Sequence, residues 1–188
     1  MDSPAGNGEF IDLGPEAPFL IIDDKAKDKT RSKRKKSHGI QRIENHLLIR
    51  KNYKVTYHLE QTFCDCRHER ELPFDVFIIV DGMPGIIEYD GRQHFEPTNF
   101  GGKSSDAELR QKLDVQRTHD IVKNNYTREY SISLLRIAYT DDNKIEELVD
   151  KFINDMRRSR NRVEIFSDTE LYKNPYGPPL ESSGCQIM

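Results

Sequence analysis

The sequence predicts an α/β sandwich, a mixed central sheet flanked by helices, and three observations predict it. Two apolar runs, Phe74–Val80 and Gly85–Tyr89, flank the turn sequence Asp81-Gly82-Met83-Pro84 and read as an antiparallel hairpin. A third apolar run, Ser131–Tyr139, reads as a buried strand standing apart from the hairpin. Stretches with helical spacing lie before, between and after these runs. The order is therefore helix, strand, hairpin, helix, strand, helix.

The elements follow in chain order. Residues 1–36 are a flexible segment, rich in Gly, Pro and acids over 1–17, with a short apolar run at Phe19–Ile22 and a basic arm over 25–36. The foldable domain spans 37–167. Its first helix starts at Ser37 as N-cap and carries Ile40, Ile43, Leu47 and Leu48. Tyr53–Phe63 has mixed alternation and reads as a strand, and the hairpin comes next. Residues 91–104, with Pro97 and Gly101-Gly102, form a loop. Ser105-Asp-Ala-Glu108 is a capping-box sequence, opening a helix to about Tyr126 with Leu109, Leu113, Ile121 and Val122 toward the core. Asn143–Arg158 is strongly amphipathic through Ile145, Leu148, Val149, Phe152, Ile153 and Met156. Arg162–Phe166 adds an edge strand, and 168–188, with three prolines, reads as a flexible tail.

Composition narrows the class. At 188 residues the chain buries one core. It is 35% hydrophobic and 32% charged, with no apolar run near the roughly 20 residues of a membrane span and no signal-peptide pattern. Three cysteines are too few for a disulfide framework and favour a reducing, intracellular setting.

The net charge of −3 hides a division. Residues 25–36 hold eight Lys/Arg against one Asp, which leaves the remainder of the chain strongly acidic. The arm, including Lys33, Arg34, Lys35 and Lys36, suits phosphate contact, a nuclear-localisation signal or a solvated tether.

The acids are placed with a pattern. Asp75 opens the first hairpin strand; Glu88 and Asp90 close the second; His94 follows four residues later. An antiparallel hairpin brings its outer ends together, so the three carboxylates are expected to converge. Clustered carboxylates repel unless a cation sits among them, and hard oxygen ligands suit Mg²⁺ or Mn²⁺. Asp75, Glu88 and Asp90 are the expected metal ligands.

Four stretches resemble one family. Leu-Pro-Phe-Asp75, Ile-Ile-Glu88-Tyr-Asp90-Gly-Arg-Gln-His94-Phe, Asp120-Ile-Val-Lys123-Asn124-Asn-Tyr126 and Leu134-Leu-Arg136-Ile-Ala-Tyr139 resemble, in order and spacing, restriction-endonuclease-like nucleases of the very-short-patch-repair and homing-endonuclease type. The likeness covers about residues 37–157 and extends to phage and large-virus nucleases. It implies a restriction-endonuclease-like sandwich that hydrolyses phosphodiester bonds in duplex or branched DNA. Asp75 would bind the catalytic metal, His94 would activate water or relay a proton, and Asp120 and a first-helix Glu would complete the set. Lys123 and Asn124, one turn beyond Asp120, would touch DNA backbone, as would Arg92 and Gln93 beside the site.

Two departures stand out. The first-helix Glu of relatives would fall at Ile40, and Glu44, one turn later, is the nearest substitute. The superfamily's Glu-x-Lys would place a lysine at Asp90, so His94 is expected to carry that lysine's load. These departures motivate an alternative, a nucleic-acid-binding module on a weakened nuclease scaffold.

The remaining motifs are weaker. Asp114 and His119 are stand-ins for Asp120. Arg157, Arg158, Arg160 and Arg162 form a second basic cluster, which suits DNA backbone or solvent equally. Cys64-Asp-Cys66-Arg-His68 lacks a fourth ligand nearby and reads as structural. Cys185-Gln-Ile-Met188 fits a prenylation box, a weak and reversible membrane attachment unless a second signal joins it. A viral-type nuclease core with such an ending points to a virus of eukaryotes, acting in nucleus or cytoplasm.

Overall fold

Asp81 and Gly82 both take positive φ, 50° and 87°, and turn the chain in two residues. Such primed turns match the twist of paired strands, which is why Asp-Gly between apolar runs makes a hairpin. The hairpin is the centre of a computed structural model that describes residues 36–49, 55–102, 104–159 and 161–173. Its strands are β2 (Phe74–Val80) and β3 (Met83–Asp90). They belong to a five-stranded sheet of order β1-β2-β3-β4-β5, with β1 (Val55–Gln61), β4 (Ser133–Ala138) and β5 (Glu164–Phe166). β1 and β2 each pair antiparallel with the next strand, whereas β3–β4 and β4–β5 are parallel. The sheet is mixed, as the sequence predicts.

Helices cover both faces. On one face α1 (His38–Ile49) and α3 (Ile145–Arg158) bury Ile43, Leu47, Val149, Phe152 and Met156 against Val76, Ile78, Ile87, Leu135 and Ile137. α1 approaches closely because residue 39 is glycine: a Cβ there would lie 2.4 Å from the Tyr89 ring. Arg42 of α1 pairs with Glu146 of α3 and with Asp142, and His46 with Asp150, sealing the seam between the helices. On the other face α2 (Asp106–Glu129) and the loop after β1 bury Phe74, Phe77, Ile86, Tyr126, Ile132 and Leu134. The expected capping box is present: Ser105 accepts from the Glu108 N–H, and the Glu108 carboxylate accepts from the Ser105 N–H.

Three expectations are revised. α2 runs three residues beyond Tyr126 to Glu129, and its inward stripe is largely polar. Leu113 is buried, while Leu109, Ile121 and Val122 are only half-buried; Asp120, Asn124 and Thr127 are buried beside Tyr126. Leu48 is exposed, because the α1 face ends with Leu47. Finally, the segment after 167 does not begin as a free tail. Asp168 caps a short helix, α4 (Thr169–Tyr172), whose Tyr172 is buried against Phe95 and Phe166.

Candidate active site

Side chains alternate across a strand, so Ile86, Glu88 and Asp90 of β3 share a face, as do Leu134 and Arg136 of β4. Glu88 and Arg136 are register partners. The apolar first members of both sets continue the core, and the later ones turn the same face polar where it meets α2. Two linked clusters result.

In the first cluster, the backbone ladder of the hairpin ends at Val76–Ile87 and side chains take over. The Asp75 N–H donates to Glu88 Oε1 at 2.8 Å, and the Tyr89 N–H donates to Asp75 Oδ2 at 2.9 Å. Lys123 reaches across from α2 and donates to Glu88 Oε2 at 2.6 Å, its ammonium 5.2 Å from the centre of the Phe74 ring. Glu88 is buried and Asp75 half-buried. Burial and the Glu88 charge push the Asp75 carboxyl up to about 7, against the pull of Lys123. Burial draws the Lys123 pKa down, but Glu88 and Asp75 outweigh it and hold the amine above its ordinary value. Lys123 is therefore an ammonium at neutral pH.

The second cluster is built on Arg136, fully buried in β4. Its guanidinium donates to both oxygens of Asp90 (Nε 2.7 Å, Nη2 2.6 Å), to Asp120 Oδ1 at 2.8 Å and to Asn124 Oδ1 at 2.9 Å. Tyr172 Oη donates to Asp90 Oδ2 at 2.7 Å. His94 sits in a 3₁₀ turn over Arg92–His94, with Nδ1 2.8 Å from Asp120 Oδ2 and 3.2 Å from Asp90 Oδ1. Two carboxylates facing Nδ1 place the ring proton there and leave Nε2 as the second functional atom. Burial lowers the His94 pKa, yet the Asp120 hydrogen bond and the two negative charges outweigh it and raise the pKa above 6.5. Burial acts to raise the Asp120 pKa, but Arg136 and His94 hold it below the usual carboxylate range.

Asp90, His94 and Asp120 each offer a ligand atom within 4.8 Å of the others, so this buried group could hold a metal ion; it is the one group of three or more His, Cys, Asp or Glu with such spacing among the described residues. Both carboxylates already face Arg136. Across the two clusters, four carboxylates stand against Lys123, Arg136 and the His94 imidazole, and Asp75 and Glu88 share only Lys123.

The expected residues fall into these positions unevenly. Asp75 and Glu88 meet as expected, while Asp90 joins His94 and Asp120 around Arg136 instead of joining them. Lys123 and Asn124, expected on DNA backbone, point inward and serve the two clusters. Glu44 pairs with Lys36 at 2.7 Å, and no hydrogen bond or ion pair among the described residues ties it to Asp75 or Glu88. Arg92 pairs with Glu96 and lies over the Tyr139 ring, and Gln93 is exposed beside it. Asp114 is exposed, and His119 stacks edge-on with His68. Cys66 is buried, which pushes its thiol up to about 12, and Cys64 is exposed. In the second basic cluster, Arg157 pairs with Asp81 and Arg162 with Glu164. Lys33, Arg34, Lys35, Arg160 and Cys185 lie outside the described residues.

Sequence reasoning missed Arg136 and Tyr172. A signal existed for Arg136, since an arginine within Leu-Leu-Arg-Ile-Ala has to find acids when its strand is buried. None existed for Tyr172, three residues before a proline-rich ending. No described helix is long and apolar enough to cross a membrane. Compared with protein-family models, curated proteins and solved structures, the chain matches none.

Proposed function

We propose that this protein is a divalent-metal-dependent endonuclease that hydrolyses phosphodiester bonds in DNA, with Asp75 and Glu88 as ligands of Mg²⁺ or Mn²⁺. The observation that carries the reading is Lys123 on Glu88. The resemblance calls for two acids and a lysine, and β3 has Asp90 where that lysine would stand. α2 supplies an ammonium to the same acid from the other side. This removes the need for His94 to replace the lysine, and with it one of the two motives for a binding module on a weakened scaffold.

The donor chemistry fits the ion. Two carboxylates, one of them already driven toward protonation by burial and by its neighbour, are better accommodated by a divalent cation than by a lysine alone. Asp75 and Glu88 would hold the ion, which would supply charge neutralisation at the scissile phosphate and a lowered pKa for a water beside it. Lys123 pairs with Glu88 and adds positive charge where the phosphorane charge grows. His94, held by Asp120 and carrying a raised pKa, suits donating a proton from Nε2 to the departing oxygen better than taking one from water. In that step water adds to phosphorus and releases one proton to solvent, the bond from phosphorus to the leaving oxygen breaks, and the leaving oxygen takes the proton from His94 Nε2, which regains one from solvent. Asp90, Asp120, Asn124 and Arg136 position the imidazole. The basic arm over 25–36 recruits the DNA.

Nicking of supercoiled plasmid tests the reading. The wild-type chain is expected to cut with Mg²⁺ or Mn²⁺ and not in EDTA, while Asp75→Ala does not cut and removal of the Lys123 ammonium slows cutting by about 10²- to 10³-fold. Cutting that persists in Asp75→Ala overturns it, as does a wild type that binds DNA with no cleavage in either metal.

A further inference from the structure

A cavity of about 350 Å³ opens between the loop after β3 and the first turns of α2. That size lies within the roughly 300–1,000 Å³ typical of small-ligand pockets. Phe100 and Leu109 form apolar wall, side-chain amides come from Gln93, Asn99 and Gln116, and Lys112 and Glu96 add charges of opposite sign. Gln116 belongs to the cavity and to the candidate site at once: its Nε2 lies 3.3 Å from His94 Nδ1 and 3.3 Å from Asp120 Oδ1. Gln116 is thus the wall shared by the cavity and the imidazole, on the Nδ1 side of the ring.

The lining selects the occupant. Amide side chains offer donor and acceptor together, the combination that a nucleobase edge presents. Asn99 spends its oxygen on the Gly102 N–H, which steadies the loop and leaves its NH₂ to donate. Phe100 is 78% exposed, a large apolar ring held at the cavity wall with no core to join. An aromatic face in that position stacks with any base. Lys112, donating to Ser104 at 2.9 Å, supplies the cation for a neighbouring phosphate. A base inside a regular duplex is already stacked and paired, so only an unstacked base can enter.

We infer that this cavity receives an unstacked nucleobase next to the phosphate being cut, which makes single-stranded or locally opened DNA the preferred substrate. The inference rests on the nuclease reading for the phosphate and on the cavity for the base.

Anisotropy of a fluorescein-labelled single-stranded oligonucleotide, compared with its duplex and measured in EDTA, separates the two. Phe100→Ala, at an exposed position, and Leu109→Trp, which fills the cavity, are each expected to weaken single-strand binding by about 5- to 100-fold and to change duplex binding by about twofold or less. Unchanged single-strand affinity in both variants overturns the inference, and so does an equal loss for single strand and duplex. A plasmid-nicking arm with Mg²⁺ keeps the readings apart. DNA bound with this dependence but never cut removes the nuclease and leaves the cavity. DNA cut normally with no dependence on Phe100 or Leu109 removes the cavity and leaves the nuclease. Absence of binding to any DNA removes the cavity.

Discussion

Lys123 Nζ lies 2.6 Å from Glu88 Oε2, an ion pair that fastens the middle of α2 to the end of β3. Both side chains are largely buried, at 11% and 2% exposure, so neither charge can turn to water if the other is removed. Asp75 is held to the same glutamate through its own N–H. The pair therefore joins stability to the proposed chemistry.

Removing the lysine should reveal both roles. Lys123→Met is expected to cost about 3–5 kcal/mol, the range for breaking a buried pair from one side. Urea denaturation in EDTA measures it, and added Mg²⁺ should recover part of the loss by neutralising Glu88. Cleavage by the same variant should fall by about 10²- to 10³-fold, the effect of losing one preorganised charge-stabilising donor.

Asp75 makes stability depend on pH in the metal-free protein. Its carboxyl is pushed up to about 7, above the unfolded value of about 3.9. The protonated acid then contributes fully below about pH 4, and the contribution is lost as pH rises through about 7. The Tm in EDTA should fall across that window, and the stabilisation by Mg²⁺ should grow across it. Asp75→Asn should flatten both trends in thermal melts.

His94 titrates with the opposite neighbours. Its raised pKa depends on Asp120 and Asp90, so its stabilising contribution is complete below about 6.5 and fades as pH rises through the native value. Asp120→Asn should lower the His94 pKa, as followed by the imidazole resonances in NMR titration. The acid limb of the cleavage profile should stay, and the alkaline limb should move to lower pH.

The chain after residue 167 should matter to the fold. Tyr172→Phe removes the hydrogen bond to the buried Asp90 and is expected to cost about 1.5–3 kcal/mol, as for hydrogen bonds to charged groups. Truncation after Ser167 also uncovers Phe95 and Phe166 and should cost more. Denaturant midpoints of the two variants give the comparison.

Two apolar runs and the Asp-Gly turn between them made the hairpin legible, and with it the meeting of Asp75 and Glu88. The α3 stripe was equally plain, because its apolar residues recur at helical spacing with charges between them. α2 was legible as a helix but not in its orientation. Asp120, Lys123, Asn124 and Thr127 form a helical stripe too, yet polar stripes normally face water, and only the acids and arginine opposite them reverse that preference. Asp90 turned away from Asp75 and Glu88 for the same reason: Arg136 satisfies both of its oxygens, a partner two strand positions from its register mate and invisible without the parallel pairing of β3 with β4.

Calorimetric titration of Mn²⁺ into wild type, Asp75→Asn and Asp120→Asn tests the placement of the catalytic ion most directly. Placement at Asp75 and Glu88 requires heat of binding in wild type and Asp120→Asn and none in Asp75→Asn. Binding that survives in Asp75→Asn and vanishes in Asp120→Asn would put the ion among Asp90, His94 and Asp120 and contradict the account.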